Sequence, residues 1–413
     1  MRPLPQITMN DKDEARFLHH YILHVSSLMV PVDAAGNPWK STYLAIGSRK
    51  ATAGARALYF ATLAQGALHL AHLKGTRNCA GEKAHAVKYI GVAIKELRNS
   101  LSSQTDDYTS VLAAVLSLIA VQHVFQNNSH GWREHYRGAI GFVSQYLPDR
   151  PWSLSWDSWI VTQSFVLGII FAETANNSGA VFETPVSPVH NLLTEMMTEP
   201  RLGCTVGGNA RHLEAIHQIR LLEVQIARSG RTESQDMSPA TLEQVYQIIQ
   251  QLENFQDDQL EAEQSSNEEL EFDMPSPTQT LVKLHSQIFD GAVMIHLCRV
   301  VLQRPPSAVA SYVHQVLTNV GKFMDAGGGE VSAWPVFIAA AEAFTSEDQH
   351  LASRYFCQSE MVFAGNRTDM HSVVRQVWAD RETLGIEQDC NAGDVGLDWR
   401  DVMRRMDIDI LLL

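Results

Sequence analysis

The stretch VLAAVLSLIAVQHVF, residues Val111–Phe125, decides the fold of this chain. Twelve of its fifteen residues are apolar or Ala, and they fall on every face of a helix. A helix that is apolar all round belongs in the interior of a large protein. Ser117, Gln122 and His123 interrupt the run, which at fifteen residues is too short and too polar to span a bilayer. The stretch therefore predicts a buried central helix around which its neighbours pack.

Apolar residues recur at three- and four-residue spacing on both sides of this run, which is typical of amphipathic helices. The spacing predicts further helices over residues 17–29, 51–73, 84–101, 132–147, 158–174, 211–228, 238–255, 278–302, 308–324 and 334–344. Two more helix starts are indicated by capping residues at Ser346 and Thr368, each followed by acidic residues. Because the first six helices have short connections, neighbours should be antiparallel. The sequence predicts an all-α fold, a large antiparallel helical array with room for an internal pocket.

Small residues are frequent in the predicted helix over residues 51–73 (ATAGARALYFATLAQGALHLAHL). They lie on several of its faces, which permits close approach of neighbouring helices. We predict one helical domain over residues 17–413, preceded by an N-terminal tail at 1–16.

The charge of the chain is concentrated in one segment. The net charge is −14, and twelve acidic residues with no Lys or Arg lie between Thr232 and Val282. The part of this segment at about residues 253–277 is also rich in Gln and Ser, which predicts a solvated surface loop. The alternative is an activation segment, because Phe255, Leu260, Leu270 and Phe272 are interspersed among the acids.

The cysteine pattern and the N-terminal sequence limit the classes of protein to which this chain can belong. The five cysteines lie far apart and form no CxxC pair, so neither a disulfide framework nor a zinc knuckle is indicated. This usage fits a reducing intracellular compartment. No apolar signal region occurs near the N-terminus, and no run is suited to a membrane span. We predict no cofactor, no metal and no membrane association.

Histidines are the candidates for acid–base or metal chemistry, since the sequence has seventeen of them. His69 and His72 are three residues apart on one predicted helix, and such a pair can share a metal when a third ligand converges. His123 lies in the central run, and His135 follows Trp132 in WREHYRG. No HExxH, GxSxG or P-loop pattern occurs. The simpler interpretation is that these histidines are packed in the interior and hydrogen-bonded locally.

Two aromatic motifs have a structural and a functional interpretation. Trp132, His135 and Arg137 would form a polar cluster at a helix start, for which we favour a structural role. The motif PWSLSWDSW, with Trp152, Trp156 and Trp159, would either pack or line an apolar pocket. Because Trp156 and Trp159 are three residues apart, packing is favoured.

A series of short motifs in a fixed order carries a family resemblance. In chain order they are VSSLMVPVD (25–33), Asn37-Pro38-Trp39, ALYFATLAQGALHLAHL (57–73), Trp132-(x2)-His135-(x2)-Gly138-Ala139, WPVFIAAAEAF (334–344), Val377-Trp378 and Asp398-Trp399-Arg400. This order resembles the fungal-specific transcription factor domain, the all-helical regulatory region found downstream of a zinc binuclear-cluster DNA-binding domain. The resemblance covers residues 17–413.

The chain departs from the family pattern in one respect. Family members usually begin with six closely spaced cysteines that hold two zinc ions and read DNA, whereas the first cysteine here is Cys79. Thiolates are required for such a cluster. We therefore expect no direct specific DNA contact from this chain. A shortened sequence, a regulator that works through a partner, and a fold recruited to another task all stay open.

The resemblance implies a transcription-regulator-type helical domain without its own DNA-binding module, located in the nucleus. It would control gene expression by sensing a small-molecule effector or by binding protein partners, including a homodimer or a heterodimer with related regulators. The alternative is a cytoplasmic enzyme of secondary metabolism, of the cyclase, dehydratase or isomerase type, built on the recruited fold. In that case His69, His72, His123, His135 and Trp132 are the catalytic candidates, since histidine titrates near neutral pH.

Overall fold

Helices make up the regular structure of the chain, and no β-strand occurs in the part that the computed structural model describes. The described residues are 12–33, 36–75, 78–103, 107–126, 131–175, 189–199, 202–203, 205–229, 237–253, 277–363 and 365–413. The predicted all-α fold class is confirmed. The acidic stretch 254–276 and the first eleven residues lie outside the described part.

The helices of the N-terminal half surround the central run. In chain order they are α1 (Lys12–His20), α2 (Thr42–Arg49), α3 (Ala53–Lys74), α4 (Ala80–Ser103), α5 (Tyr108–Ala120), α6 (Trp132–Gln145) and α7 (Trp156–Thr174). A π-helical turn extends α1 (Tyr21–Val25), and a second extends α5 (Val121–Phe125). A π turn inserts one residue into the helical repeat and is frequent at functional sites.

The C-terminal half continues the array. In chain order its helices are α8 (His190–Met197), α9 (Ala210–Arg228), α10 (239–253), α11 (Pro277–His296), α12 (Ala310–Asp325), α13 (Ala333–Glu342), α14 (Ser346–Val362), α15 (Asn366–Glu387) and α16 (Trp399–Arg405). A third π turn extends α11 (Leu297–Val301). One continuous set of buried apolar residues runs from Tyr43 to Leu412. The single-domain organisation over residues 17–413 stays a prediction.

α5 and its π turn are the centre of the N-terminal half, as predicted. Helices α3, α4, α6 and α7 pack against it. The apolar helix Tyr108–Phe125 is eighteen residues long, so its length alone does not exclude a membrane span, contrary to the expectation from the shorter run. However, 83% of this stretch is buried inside the protein, which is the behaviour of a core helix.

Small residues of α3 allow neighbouring helices to approach closely. A Cβ atom on Gly66 would lie 2.4 Å from the carbonyl oxygen of Phe17 in α1, and one on Gly54 would lie 2.6 Å from the hydroxyl of Ser110 in α5. Neither distance is compatible with a methyl group. The role predicted for the small residues is confirmed at both positions.

A buried cluster of charges joins the helices of the C-terminal half. The Arg381 guanidinium, only 1% exposed, donates to the Glu342 carboxylate at 2.6 Å and to the carbonyl oxygen of Leu397 at 2.8 Å. The Nε atom of Arg299, which lies in the π turn after α11, is 2.8 Å from the same Glu342 oxygen. Buried charges need partners of this kind because removal from water costs several kcal/mol per ion.

Local predictions fail where an element is short. The sequence does not predict α2, because its apolar residues Tyr43, Leu44 and Ile46 span less than one turn and give no periodicity. The residue that caps α14 is Thr345 rather than Ser346: the Thr345 side chain accepts from the backbone N–H of Asp348. The cap predicted at Thr368 is also wrong, since α15 begins two residues earlier, at Asn366.

We predict that Gly66→Ala lowers the free energy of unfolding by about 1–3 kcal/mol, because the added methyl group collides with the backbone of α1. Urea unfolding measures the change. Gly91 of α4 is the matched control, since its added Cβ meets no atom within 4 Å. Gly91→Ala should stabilise the protein by about 0.5–1 kcal/mol through the better helix propensity of Ala. Equal effects of the two substitutions would contradict the close contact.

We predict that Arg381→Ala lowers the free energy of unfolding by about 3 kcal/mol, because it leaves a buried carboxylate with one cation fewer. The control is Arg137→Ala on α6, where the ion pair with Glu134 lies in solvent and side-chain exposures are 52% and 72%. That loss should be below about 1 kcal/mol. A loss at Arg381 as small as that of the control would show that the cluster is not stabilising.

Candidate functional site

A cavity lies where the N-terminal and C-terminal halves meet. Its volume is about 130 Å³, and it is partly open to solvent. This volume lies below the roughly 300–1,000 Å³ of a drug-sized ligand site, so the cavity suits a smaller molecule. The apolar residues that line it include Leu28, Met29, Trp39, Leu116, Ile119, Ala120, Val124, Leu167, Val331, Phe363, Leu411 and Leu413. A concave apolar surface with a few polar groups is the usual form of a ligand site.

Arg367 and Glu330 contribute the charged side chains of the cavity wall. Arg367 Nε lies 3.5 Å from Glu330 Oε1, and their side chains are 5% and 12% exposed. The Glu330 carboxylate also accepts from the hydroxyl of Tyr355 at 3.3 Å and from the hydroxyl of Ser359. The two charges are therefore paired at the wall of the cavity.

The segment after α16 forms part of the cavity wall and is held by specific hydrogen bonds. The Asn366 side chain donates to the carbonyl of Leu411 at 2.7 Å, and Arg367 donates to the carbonyl of Leu413 at 2.8 Å. The Arg133 guanidinium of α6 donates two hydrogen bonds, of 2.6 and 2.7 Å, to the Asp409 carboxylate. Bidentate pairs of this kind fix geometry as well as adding energy. This segment thus links α6 and α15 across the cavity.

The π turn at the end of α5 places His123 in the cavity wall. Gly365 fixes the position of this π turn, because its backbone N–H donates to the carbonyl of Val124 at 3.1 Å. A Cβ atom on Gly365 would lie 2.3 Å from the carbonyl oxygen of His123, so the two chain segments are in direct backbone contact. A larger residue at 365 would push the π turn away from α15.

His285 holds another part of the wall. Its Nδ1 donates to the carbonyl of Gly207 at 3.0 Å, and its Nε2 accepts from the backbone N–H of Ser332 at 3.3 Å. These contacts join two cavity-lining segments, one containing Val206 and the other Ser332. Burial lowers the pKa of His285 to about 4, so the ring is neutral and this pattern of one donor and one acceptor is maintained.

The candidate histidines of α3 lie beside the cavity region but not in its wall. His69 is buried, and its Nδ1 lies 2.9 Å from His20 Nε2. Its Nε2 has no hydrogen-bond partner among the described residues. His72 Nε2 donates to the carbonyl of Glu360 at 2.8 Å. Burial lowers the pKa of both His69 and His20 to about 4, which makes them poor bases near neutral pH.

The candidate residues of α6 do not form one cluster. Trp132 is fully buried and its indole N–H donates to the carbonyl of Asp409 at 3.2 Å. His135 lies on the exposed side of the helix, and Arg137 pairs with Glu134. Of the five candidates, only His123 lines the cavity. In the described part of the chain, no group of three His, Cys, Asp or Glu side chains is arranged to hold a metal ion.

The three tryptophans of PWSLSWDSW line a separate surface groove of about 520 Å³. Trp156 and Trp159 stack with ring centroids 5.0 Å apart, and the Trp152 indole donates to the Glu195 carboxylate at 3.0 Å. The groove contains more polar surface than the central cavity, with Arg150, Glu195 and Glu199 in its wall. The tryptophans of this motif therefore pack against neighbouring residues and also line the groove.

Sequence reasoning identified His123 but missed Arg367 and Glu330. They lie 37 residues apart and belong to no motif. A single Arg or Glu is most often a surface residue, so its type carries no signal of burial.

We predict that acid destabilises the protein through the buried His69. The folded-state pKa of His69, about 4, is below its ordinary value of 6.5, so its contribution to stability is complete above pH 6.5 and is lost as pH falls towards 4. His69→Gln keeps a neutral hydrogen-bonding group but removes this titration. Between pH 6.5 and 5 the variant should lose about 1 kcal/mol less per pH unit than the unmodified chain in urea unfolding.

The control is His350→Gln, which makes the same substitution at an exposed position of α14. An unchanged slope in His69→Gln would show that His69 is accessible to protons in the folded state.

The family comparison agrees with the resemblance that the order of motifs carries. Residues 16–413 match the fungal specific transcription factor domain, which is nearly the whole chain. No curated protein and no solved structure matches this chain. The matched region begins within α1 and includes every helix that lines the cavity. The chain belongs to the fungal specific transcription factor domain family.

Proposed function

We propose that this chain is a regulatory region that controls transcription in the nucleus in response to a small molecule bound in the central cavity. The family supports a transcription-regulator role. The observation that carries the ligand-sensing part is the cavity itself, which is apolar, concave and lined by residues from both halves of the chain. A ligand bound there would contact both halves at once.

The wall of the cavity suggests how binding would be transmitted. The segment after α16 touches the cavity through Leu411 and Leu413 and is anchored to α6 through Asp409. A ligand that favours one position of this segment would shift the protein towards that state, because a ligand changes a conformational equilibrium by its difference in affinity for the two states. The anchors Arg133 and Asn366 are the contacts through which such a shift would reach α6 and α15.

We further propose that specific DNA contact comes from another module or from a partner subunit, with which this region would dimerise. The net charge of −14 supports the assignment of DNA contact to another module or subunit, because DNA binding relies on basic surfaces that neutralise phosphates.

A transcription reporter tests the proposal. The full chain, fused to a heterologous DNA-binding module, should give reporter output that changes when solvent extracts of fungal cultures are added. Ala120→Phe places a ring in the cavity and should make the output constant across extracts. Immunoblotting confirms equal protein levels.

Ala84→Phe is the matched control, because Ala84 is exposed on α4 and outside the cavity wall. It should respond to extracts like the unmodified chain. The proposal is wrong if the unmodified chain gives constant output or if Ala120→Phe responds as the control does.

A further inference from the structure

We propose that the exposed face of α10 binds a basic amphipathic helix of a partner protein. This inference goes beyond the proposed function, because it names a surface and a kind of partner that are separate from the central cavity. Two features carry it: a second apolar stripe on α10, and the negative charge of the sequence in which this helix lies.

The inner stripe of α10 already attaches this helix to the protein. It consists of side chains at three- and four-residue spacing that are at most 6% exposed: Thr241, Val245, Ile248 and Leu252. The last three belong to the continuous apolar core. One such stripe is what a surface helix needs in order to pack on its domain, and its other faces are usually polar.

A second apolar stripe, the outer stripe, runs beside the inner one. Leu242 and Tyr246 lie one turn apart and are 50% and 55% exposed, and the half-buried Ile249 continues the row. Among the exposed large apolar side chains of the described ranges, no other two lie one turn apart on one helix. The Gln250 side chain donates to the Tyr246 hydroxyl at 2.6 Å, which restricts the ring. A row at i, i+4 and i+7 with an aromatic anchor is the pattern by which amphipathic helices are recognised.

The charge of α10 is negative. The helix contains Glu243 and Glu253, both exposed, and no Lys or Arg. It lies within the stretch between residues 232 and 282, which has twelve acidic residues and no Lys or Arg. Arg211 of α9 donates to the carbonyl of Gln251 at 3.0 Å, at the opposite end of α10 from Leu242. The outer stripe is therefore an apolar surface in a negative field, which attracts cations.

The combination of apolar and acidic groups decides which occupant fits. Nucleic acids and anionic membranes bind basic surfaces, so an acidic surface repels both. A second copy of this chain in a symmetric dimer would present the same acidic stripe, and like charges that face each other across an interface are unfavourable. A helix with an apolar face flanked by Lys or Arg satisfies both features, because it covers Leu242 and Tyr246 and pairs with Glu243 and Glu253.

Two designed peptides test the inference. Each is an amphipathic helix of about four turns with Leu along one face, and the opposite face carries Lys in one peptide and Glu in the other. Their dissociation constants for the full chain are measured by fluorescence anisotropy at an ionic strength of about 0.15 M. We expect the Lys peptide to bind more tightly than the Glu peptide by about tenfold or more.

The double substitution Leu242→Gln and Tyr246→Gln removes the apolar part of the outer stripe and leaves every charge in place. It should weaken binding of the Lys peptide by about tenfold or more, because apolar and aromatic anchors supply most of the affinity of an interface. The matched control is Val87→Gln with Leu101→Gln, which removes two exposed apolar side chains from α4. The control should bind the Lys peptide as the unmodified chain does. Thermal unfolding verifies that each variant is folded.

Charge reversal tests the contribution of the acidic residues. Glu243→Lys with Glu253→Lys should weaken binding of the Lys peptide and strengthen binding of the Glu peptide. The control is Glu382→Lys with Glu387→Lys, which makes the same change in net charge at two exposed positions of α15. Because salt screens distant charges, the control should change neither affinity by more than about twofold.

Several outcomes overturn the inference. The first is a Glu peptide that binds as tightly as the Lys peptide, and the second is no measurable binding of either. The third is a Lys peptide that binds the variants of α10 as tightly as their controls, which would show general attraction to an acidic chain. All three leave the proposed function unchanged, because none of them involves the cavity.

Two further measurements cover the other occupants of this surface. In analytical ultracentrifugation, a dimer that dissociates in Leu242→Gln with Tyr246→Gln would assign the outer stripe to self-association and overturn the inference. Cosedimentation of the unmodified chain, but not of this variant, with phosphatidylcholine vesicles would assign the outer stripe to a lipid surface and would also overturn it. We expect neither result.

Discussion

The structure depends on the burial of α5, a helix with no polar face. Such a helix is stable in water only when it is covered on all sides, and α3, α4, α6 and α7 provide that cover. The requirement extends outwards, because each covering helix must itself turn an apolar stripe inwards. It also explains the small residues of α3: Gly54 and Gly66 allow α5 and α1 to approach its backbone, which closes the layer around the core.

The candidate site arises where this close packing stops. At the end of α5 the regular helix gives way to a π turn, and the backbone contact with Gly365 brings the N-terminus of α15 against it. That junction meets the segment after α16 and the loops held by His285, and the elements enclose space instead of interlocking. Packed helices rarely leave voids larger than a water molecule. A cavity of this size, walled by both halves, is therefore a feature that distinguishes this site from the rest of the core.

Among the described residues, two clusters of buried charges are paired, while two buried histidines are kept neutral. Arg381, Arg299 and Glu342 form a paired cluster, as do Arg367 and Glu330. His69 and His285 are instead kept neutral, because desolvation lowers their pKa values and leaves the rings uncharged. The interior thus tolerates polar residues without free charge.

The sequence by itself determined the helical class, the buried central run and most helix positions, because three- and four-residue periodicity is a local property of the chain. It also placed the small residues of α3 correctly. It did not identify α2, whose apolar stretch is too short, or separate Thr345 from Ser346 as the cap of α14. Only the tertiary structure decided the cavity, the pairing of Arg367 with Glu330 and the separation of the candidate histidines. These depend on contacts between residues far apart in sequence, and no local pattern encodes which distant side chains will meet.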